Sequence, residues 1–255
     1  MPYHFARENQ DFSDFATGRV FYSLPGHPAF PPRLASEIFQ RCLALRTRQE
    51  MSAPCVVYDP CCGSASLLSA IGYLHWSVIR HLIGSDIDAE ALKLAERNMA
   101  LLTLEGLNQR CAELRTRAEQ YGRASYEQAI NSVQRLRQRL QVMLKTHELS
   151  ATLFHTDATA GSALCQKLGK QTVDIVLSDL PYGQQSSWRS AEPAPGEVLE
   201  PVRQLLTALL PVLATHAIVA LVTSKQQKVQ HEAYRRLSRF ELGKRRVVFL
   251  TPMEQ

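Results

Sequence analysis

The 255-residue sequence lacks the features that mark several large classes of protein. None of its six cysteines forms a CxxC pair or a zinc-finger spacing, and its histidines show no metal-ligand spacing, so we expect reduced thiols and no metal. No run of about 18 apolar residues occurs, which excludes a predicted membrane span. No apolar segment follows a basic start, so no signal peptide is predicted, and we expect a cytoplasmic protein.

The sequence also lacks the G-x-G-x-x-G pattern that binds dinucleotide phosphates. The segment at 56–65 has the strand, turn and helix start of such a site, but only Gly63 fits the pattern. Asp59 stands directly before the turn, where a carboxylate would repel a pyrophosphate. The same carboxylate suits a ligand that carries a protonated amine, so this turn disfavours dinucleotides.

What the chain does contain is an alternation of strand and helix patterns, and 45% of its residues are hydrophobic. The alternation predicts an α/β fold with a doubly wound, mostly parallel sheet. A basic helix is predicted at about 226–239. Strands are predicted at about 55–58, 82–86, 152–156, 173–178, 217–222 and 247–250, with a shorter one before Gly243 that completes a terminal hairpin.

Two stretches interrupt the alternation. Residues 1–50 precede the first strand and include a proline-rich segment, so we expect an arm that either closes over the ligand crevice or packs on the domain. Residues 105–148 are polar, helical in pattern and carry a net charge of +3, with Gly122 between two helices. This helical insertion is either a solvated helix pair or an RNA-facing one. We predict a single domain over residues 1–255 with these two additions.

Acidic residues follow three of the predicted strands, namely Asp59, Asp86 and Asp157. Because the carboxyl ends of parallel strands form the binding crevice of such a sheet, these acids should meet there. Asp59 suits the α-amino group of S-adenosylmethionine, Asp86 its ribose hydroxyls and Asp157 its adenine edge. We therefore predict S-adenosylmethionine as the cofactor. The predicted site also includes the neighbouring residues Pro60, Cys61, Gly63 and Ile87.

The fourth predicted strand ends in Asp179-Leu180-Pro181-Tyr182. This tetrapeptide looks like the [D/N/S]-P-P-[Y/F] motif of methyltransferases that modify nucleobase nitrogens, with Leu180 in place of the first proline. Asp179 can accept the proton of the target amine, and Tyr182 can stack on the extruded base. We predict these two residues and Pro181 as catalytic. Trp188, in the loop beyond, either stacks on the substrate or anchors that loop.

Positive charge is concentrated at residues 225–246, which carry a net charge of +6 against +5 for the whole chain. A polyanionic partner would explain this through phosphate contacts, and a solubilising helix face is the alternative. The predicted RNA contacts are Arg235, Arg236, Arg239 and Arg245.

Four stretches resemble the AviRa family of avilamycin-resistance 23S rRNA methyltransferases: SLPGHPAFPPRLASEIFQR (23–41), YDPCCGSASLL (58–68), GSDIDAEALKLAERNMALLT (84–103) and VLSDLPYG (176–183). The resemblance spans nearly the whole chain. It implies a Rossmann-like class I methyltransferase with a seven-stranded sheet, which uses S-adenosylmethionine to methylate a guanine base of 23S rRNA or of the large ribosomal subunit. It also implies resistance to orthosomycin antibiotics. We expect a monomer. Ala65 departs from the family pattern, since a second glycine is usual there.

Two other functions fit parts of the sequence. A methyltransferase acting on tRNA, DNA or a protein glutamine would use the same tetrapeptide. A non-catalytic RNA-binding factor would keep the fold. No separate target-recognition domain is visible, which disfavours tRNA and DNA, and the three intact acids disfavour a non-catalytic factor.

Overall fold

The computed structural model describes residues 3–7, 11–15, 19–23, 29–181 and 200–253. Its strands are β1 (Cys55–Asp59), β2 (Ile79–Asp86), β3 (Ser150–His155), β4 (Val173–Asp179), β5 (Leu213–Ser224), β6 (Tyr234–Leu242) and β7 (Arg245–Pro252). They form one seven-stranded sheet in the order β3-β2-β1-β4-β5-β7-β6. β1 to β5 pair in parallel, whereas β7 pairs antiparallel with both β5 and β6. The predicted seven-stranded, mostly parallel sheet is confirmed.

Helices cover both faces of this sheet. They are α1 (Pro32–Thr47), α2 (Ser66–Leu74), α3 (Ala89–Ala100), α4 (Leu104–Tyr121), α5 (Ala124–Met143), α6 (Gly161–Leu168) and α7 (Pro201–Leu209). Alternate residues of β1 face opposite cores: Val57 packs with residues of α1 to α5, whereas Val56 and Tyr58 pack with residues of α6 and α7. Within the described ranges, no helix has the length and apolar character needed to cross a membrane.

The basic helix predicted at about 226–239 is wrong. Residues from Tyr234 onward form the edge strand β6, which pairs with β7 around a turn at Gly243. Tyr234 is buried, and its hydroxyl donates to the carbonyl oxygen of Leu206 at 2.8 Å. This stretch is rich in good helix formers, but strand pairing and burial outweigh helix propensities of a few tenths of a kcal/mol per residue. The shorter strand predicted before Gly243 is therefore a full partner in the terminal hairpin.

The N-terminal arm packs against the helices at 104–143. Gly122 has φ of 57° and ends α4, as predicted for the residue between the two helices. Arg110 of α4 is buried and donates to the carbonyl oxygens of Arg19 and Val20 at 3.0 and 2.8 Å. Arg135 of α5 forms an ion pair with Asp14. Part of the positive charge of these helices is thus used inside the protein to hold the arm.

Candidate active site

Four of the predicted acids meet at one edge of the sheet. Asp59 ends β1, Asp86 ends β2 and Asp179 ends β4, while Asp157 lies two residues beyond the end of β3. The strands are hydrogen-bonded neighbours in parallel, so their carboxyl ends lie side by side. The backbone N–H of Thr156 donates to the carbonyl oxygen of Asp86 at 3.1 Å, which brings Asp157 close to Asp86. We call this set the acidic edge.

Asp59 is the most deeply buried member of the acidic edge, with 2% of its surface exposed. Its Oδ1 accepts hydrogen bonds from the Ser178 hydroxyl at 2.6 Å and from the Cys61 backbone N–H at 3.1 Å. Burial raises the pKa of Asp59 to about 7, although both hydrogen bonds favour the ionised form. A buried carboxylate in this state is stabilised by a cationic ligand, because the ligand replaces the lost solvation.

The turn after β1 follows a left-handed backbone path. Gly63 and Ala65 both have positive φ, at 52° and 55°. The Gly63 N–H donates to Oδ2 of Asp86 at 2.8 Å, and Oδ1 of Asp86 accepts the Asp88 N–H at 2.9 Å. A Cβ built on Gly63 would meet no atom within 4 Å, so the turn faces open space. The left-handed conformation of Ala65 explains why glycine is usual there, and alanine adopts it at a cost of about 1 kcal/mol.

Asn98 of α3 fastens this turn to the N-terminal arm. Its side chain is fully buried, and its Nδ2 donates to the carbonyl oxygens of Ser64 and Tyr22 at 2.8 and 3.0 Å. Its Oδ1 accepts the Tyr22 N–H at 2.8 Å. The Tyr22 ring contacts the guanidinium groups of Arg97 and Arg110, at 3.8 and 4.3 Å from the ring centroid. Residues near Tyr22 in the arm therefore lie directly against the turn.

The end of β4 explains the departure of Leu180 from the [D/N/S]-P-P-[Y/F] motif. Leu180 is buried, with 1% exposure, and its backbone N–H donates to the carbonyl oxygen of Val222 at 2.9 Å. Proline has no N–H, so the usual first proline could not make this bond. Asp179 and Pro181 flank Leu180 and are half-buried at the acidic edge.

The remaining predicted residues at this edge have simpler surroundings. Oδ1 of Asp157 accepts the backbone N–H and the hydroxyl of Thr159 at 2.8 and 2.7 Å. The Ile87 carbonyl oxygen accepts a hydrogen bond from His155 Nε2 at 2.9 Å. Pro60 is buried beside Cys61, and burial raises the pKa of the Cys61 thiol well above its usual value, which keeps it neutral. Tyr182 and Trp188 lie outside the described residues.

No metal centre occurs in the part of the chain that the structure describes, since no three His, Cys, Asp or Glu side chains cluster as metal ligands. The candidate active site consists of carboxylates, backbone N–H groups and the turn at Gly63.

The four arginines predicted as RNA contacts do not share one surface. Arg245 begins β7 at the same end of the sheet as the acidic edge, and its guanidinium lies 5.6 Å from the ring centroid of Phe30 in the arm. Arg235 pairs with Thr251 near the opposite end of the hairpin. Arg236 and Arg239 are exposed and line two adjoining cavities on the face of β6 opposite to Arg235. The predicted helix at 226–239 would have carried Arg235, Arg236 and Arg239, but in strand β6 the neighbours Arg235 and Arg236 point to opposite faces of the sheet.

Sequence reasoning missed Ser178 and Asn98. Their partners are 119 positions away for Ser178, and 34 and 76 positions away for Asn98. Only the folded sheet brings these groups together, so no local pattern could have indicated them.

Comparison with known proteins identifies the family. A family model described as "rRNA methyltransferase AviRa" matches residues 1–245. The chain belongs to this family. A 23S rRNA (guanine(2535)-N(1))-methyltransferase from Streptomyces viridochromogenes is 40% identical over 248 residues, which cover 97% of this chain and 95% of that protein.

Solved structures of a family member agree with this assignment. The rRNA methyltransferase AviRa from Streptomyces viridochromogenes, solved at 1.5 Å, matches with a TM-score of 0.85 and 38% identity, covering 98% of this chain and 96% of that one. A second structure of it at 2.4 Å matches with a TM-score of 0.84 and 39% identity over the same shares. The chain is therefore a member of an rRNA methyltransferase family in both sequence and fold.

Proposed function

We propose that this protein transfers a methyl group from S-adenosylmethionine to a guanine base of 23S rRNA in the cytoplasm, with the whole chain acting as one methyltransferase domain. The acidic edge is the observation that supports this proposal, because Asp59, Asp86 and Asp179 end neighbouring parallel strands, where a cofactor and its target base would be expected to meet. The similar protein from Streptomyces viridochromogenes, named for guanine N1, supports this substrate.

The residues at the acidic edge fit S-adenosylmethionine. When bound, this cofactor supplies a methyl group on a positively charged sulfur. Asp59, whose pKa burial raises to about 7, gains a counter-ion from an α-ammonium group. The open turn at Gly63 lets the backbone approach a ligand closely. Asp86 would bind the ribose hydroxyls and Asp157 the adenine edge. Pro60, Cys61 and Ile87 complete this proposed pocket.

Asp179 is the proposed acceptor for the proton on the target nitrogen. The N1 atom of guanine carries a hydrogen, and its lone pair is delocalised into the ring. Methyl transfer to N1 therefore forms an N–CH3 bond, breaks the N–H bond and requires a base that takes the proton. A carboxylate at the end of β4 can accept this proton and orient the base. Pro181 follows it, and stacking of the extruded base on Tyr182 remains a prediction from the sequence.

A substrate panel tests the proposed function. The protein is incubated with tritiated S-adenosylmethionine and, separately, with large ribosomal subunits, naked 23S rRNA, tRNA and DNA. We expect label in 23S rRNA or the subunit. We also expect a reverse-transcription stop at one guanine, because a methyl group at N1 blocks base pairing.

The tRNA and DNA samples of the same panel test the alternative substrates. Label only in tRNA, DNA or protein would contradict the rRNA substrate, and label in no arm would contradict the enzyme. Mass spectrometry of the modified fragment identifies the methylated base. Growth of an expressing host on avilamycin, with a vector control, tests the resistance that the resemblance implies.

A further inference from the structure

A basic groove lies on the C-terminal hairpin, on the sheet face that also carries Val248 and Leu250. It is a cavity of about 160 Å³ that adjoins a second one of about 440 Å³, and the two share Val229, Gln230 and Arg236. Its cationic lining consists of Lys228, Arg236, Arg239 and Arg246.

Strand register places these cations in a row. Arg246, Val248 and Leu250 alternate along β7 and so share one face. Arg236 pairs with Leu250 and Arg239 pairs with Val248, which sets both arginines on that same face. The row runs for about 13 Å, given a rise of about 3.3 Å per residue. Arg235, one residue before Arg236, pairs instead with Thr251.

Most of the charge in the basic groove is uncompensated. Glu241 pairs with Arg246 at 3.1 Å and with Lys225 at 3.0 Å, so it neutralises the end of the row. Lys228, Arg236 and Arg239 are exposed, and no acidic partner lies within ion-pair distance of them among the residues described. Three free cations on one groove attract a polyanion, and the attraction weakens as salt rises.

The basic groove begins near the acidic edge. Arg246 pairs with Thr223 of β5, and the preceding residue, Val222, pairs with Asp179 of β4. Two strand spacings of about 4.8 Å separate these positions, so Arg246 starts about 10 Å from Asp179 across the sheet. One nucleic acid strand can therefore place a base at Asp179 while its backbone continues into the groove.

We propose that the basic groove binds the phosphodiester backbone of the RNA beside the target nucleotide. This inference rests on the proposed function. Phosphate contacts position a nucleic acid but do not read its sequence, so the groove sets affinity and does not select the base. Lysine and arginine on an edge strand can also serve to prevent association between copies, and the experiment separates that role from RNA binding.

Paired substitutions on one strand test the basic groove. Full-length Arg236→Gln/Arg239→Gln is compared with Arg235→Gln, which removes an exposed cation from the same strand but outside the row. Binding to a 23S rRNA fragment is measured from 50 to 300 mM salt. We expect the salt slope of the double variant to fall by about two and the single control to keep the wild-type slope.

The outcomes separate this inference from the proposed function. Equal slopes for the double variant and the Arg235→Gln control overturn the groove, as does self-association of the double variant with an unchanged slope. Any methyl group that the double variant transfers should lie on the same guanine as in the wild type, because phosphate contacts do not select the base. If the double variant shows the reduced salt slope but the wild-type protein methylates no rRNA, the groove is supported and the proposed function is disproved.

A separate set of contacts points to Asn98 as a positioning residue for the cofactor turn. We infer that Asn98 holds the turn at Gly63–Ala65 in its left-handed path by fixing the Ser64 carbonyl oxygen between those two residues. The same side chain binds Tyr22, whose hydroxyl donates to Glu113 of α4 at 2.9 Å. The helical insertion thus supports the turn through the arm.

Asn98→Ala tests this role against a loss of stability alone. Asn98→Ala removes three hydrogen bonds, of which only the one to the Ser64 carbonyl oxygen reaches the turn. We therefore expect KM for S-adenosylmethionine to rise about tenfold, with kcat little changed. Arg46→Gln is the control, because it disturbs a buried ion pair with Asp174. Asp174 lies near the start of β4, away from the turn. Equal KM values in both variants, or an effect on kcat only, would overturn the inference.

Discussion

The acidic edge and the basic groove carry opposite charges and differ in how far those charges are buried and held by hydrogen bonds. Carboxylates at the edge are buried or half-buried, and backbone N–H groups fix Asp59 and Asp86 at 2.8 to 3.1 Å. In the groove, Arg236 and Arg239 are exposed and make no ion pair within the described chain, and only Arg246 is half-buried and paired with Glu241. The edge therefore controls geometry within fractions of an ångström, whereas the groove supplies a field that tolerates movement. The rate of methyl transfer should therefore depend on single residues of the acidic edge, whereas RNA binding should depend only on the summed charge of the basic groove.

The largest expected effect is at Asp179. Asp179→Asn keeps the shape of the side chain but removes the proton acceptor, so we expect methyl transfer to fall by about 100-fold or more. Cofactor affinity, measured by calorimetry, should change less than about twofold, because the base is the proposed partner. Arg239→Gln is the control, because it also removes one charge, but from the basic groove. Assayed at saturating rRNA, it should leave the rate of methyl transfer unchanged. A comparable fall in both variants would break the contrast.

The next effect concerns cofactor affinity at Asp86. Asp86→Asn leaves only one side-chain acceptor oxygen for the N–H groups of Gly63 and Asp88 and for the ribose. We expect Kd for S-adenosylmethionine to rise about tenfold or more, as for hydrogen bonds to a charged group. Asp88→Asn is the control, since asparagine caps a helix as well as aspartate and α3 keeps its N-cap. If both variants bind equally well, Asp86 has no role in the site.

A smaller effect is the pH dependence of binding. Burial raises the pKa of Asp59 to about 7, so the group is mostly neutral at pH 6 and mostly ionised at pH 8. A cationic amine favours the ionised form, and cofactor affinity should therefore rise several-fold from pH 6 to 7.5. It should fall again above about pH 8, where an α-amino group loses its proton. In Asp59→Asn, calorimetry should show little or no rise in cofactor affinity between pH 6 and 7.5.

The same shift predicts how stability changes with pH in the cofactor-free protein. Because the pKa of Asp59 lies above its usual value of 3.8, the folded state binds more protons than the unfolded state between about pH 4 and 7. The contribution of Asp59 to the free energy of unfolding thus decreases as pH rises through that window. Denaturation of wild type and Asp59→Asn at pH 5 and pH 7.5 measures it, and identical pH dependence would contradict the buried state.

The smallest effect is the stability of the hairpin variants. Arg236→Gln and Arg239→Gln remove exposed side chains without ion-pair partners in the described chain, so each should alter the free energy of unfolding by less than about 0.5 kcal/mol. Urea denaturation of both variants gives this value. A loss above about 1 kcal/mol would mean that the groove residues stabilise the hairpin. The contrast with the acidic edge would then fail, because the groove residues would do more than supply charge.

The sequence predicted the acidic edge well because its signals are local. Asp59 and Asp86 each follow an apolar strand directly, and the parallel sheet determines where strand ends meet. The C-terminal segment was predicted wrongly because 226–239 contains helix-forming residues, and its state depends on pairing with β7. In a helix Arg235 and Arg236 would have flanked one surface, but the strand gives them different positions. For Arg236 and Arg239 a role in binding RNA stays a prediction, whereas the basic groove leaves Arg235 out.

The position of β7 has a consequence for how the protein is made. β7 lies between β5 and β6 in the sheet, but it is synthesised after both of them. Until β7 emerges, the long apolar strand β5 has a free side on which backbone groups lack their final partners. An exposed edge of this kind readily pairs with another chain or with the wrong strand. Yield in the cell should therefore depend on how quickly the last strand reaches its place between its two neighbours.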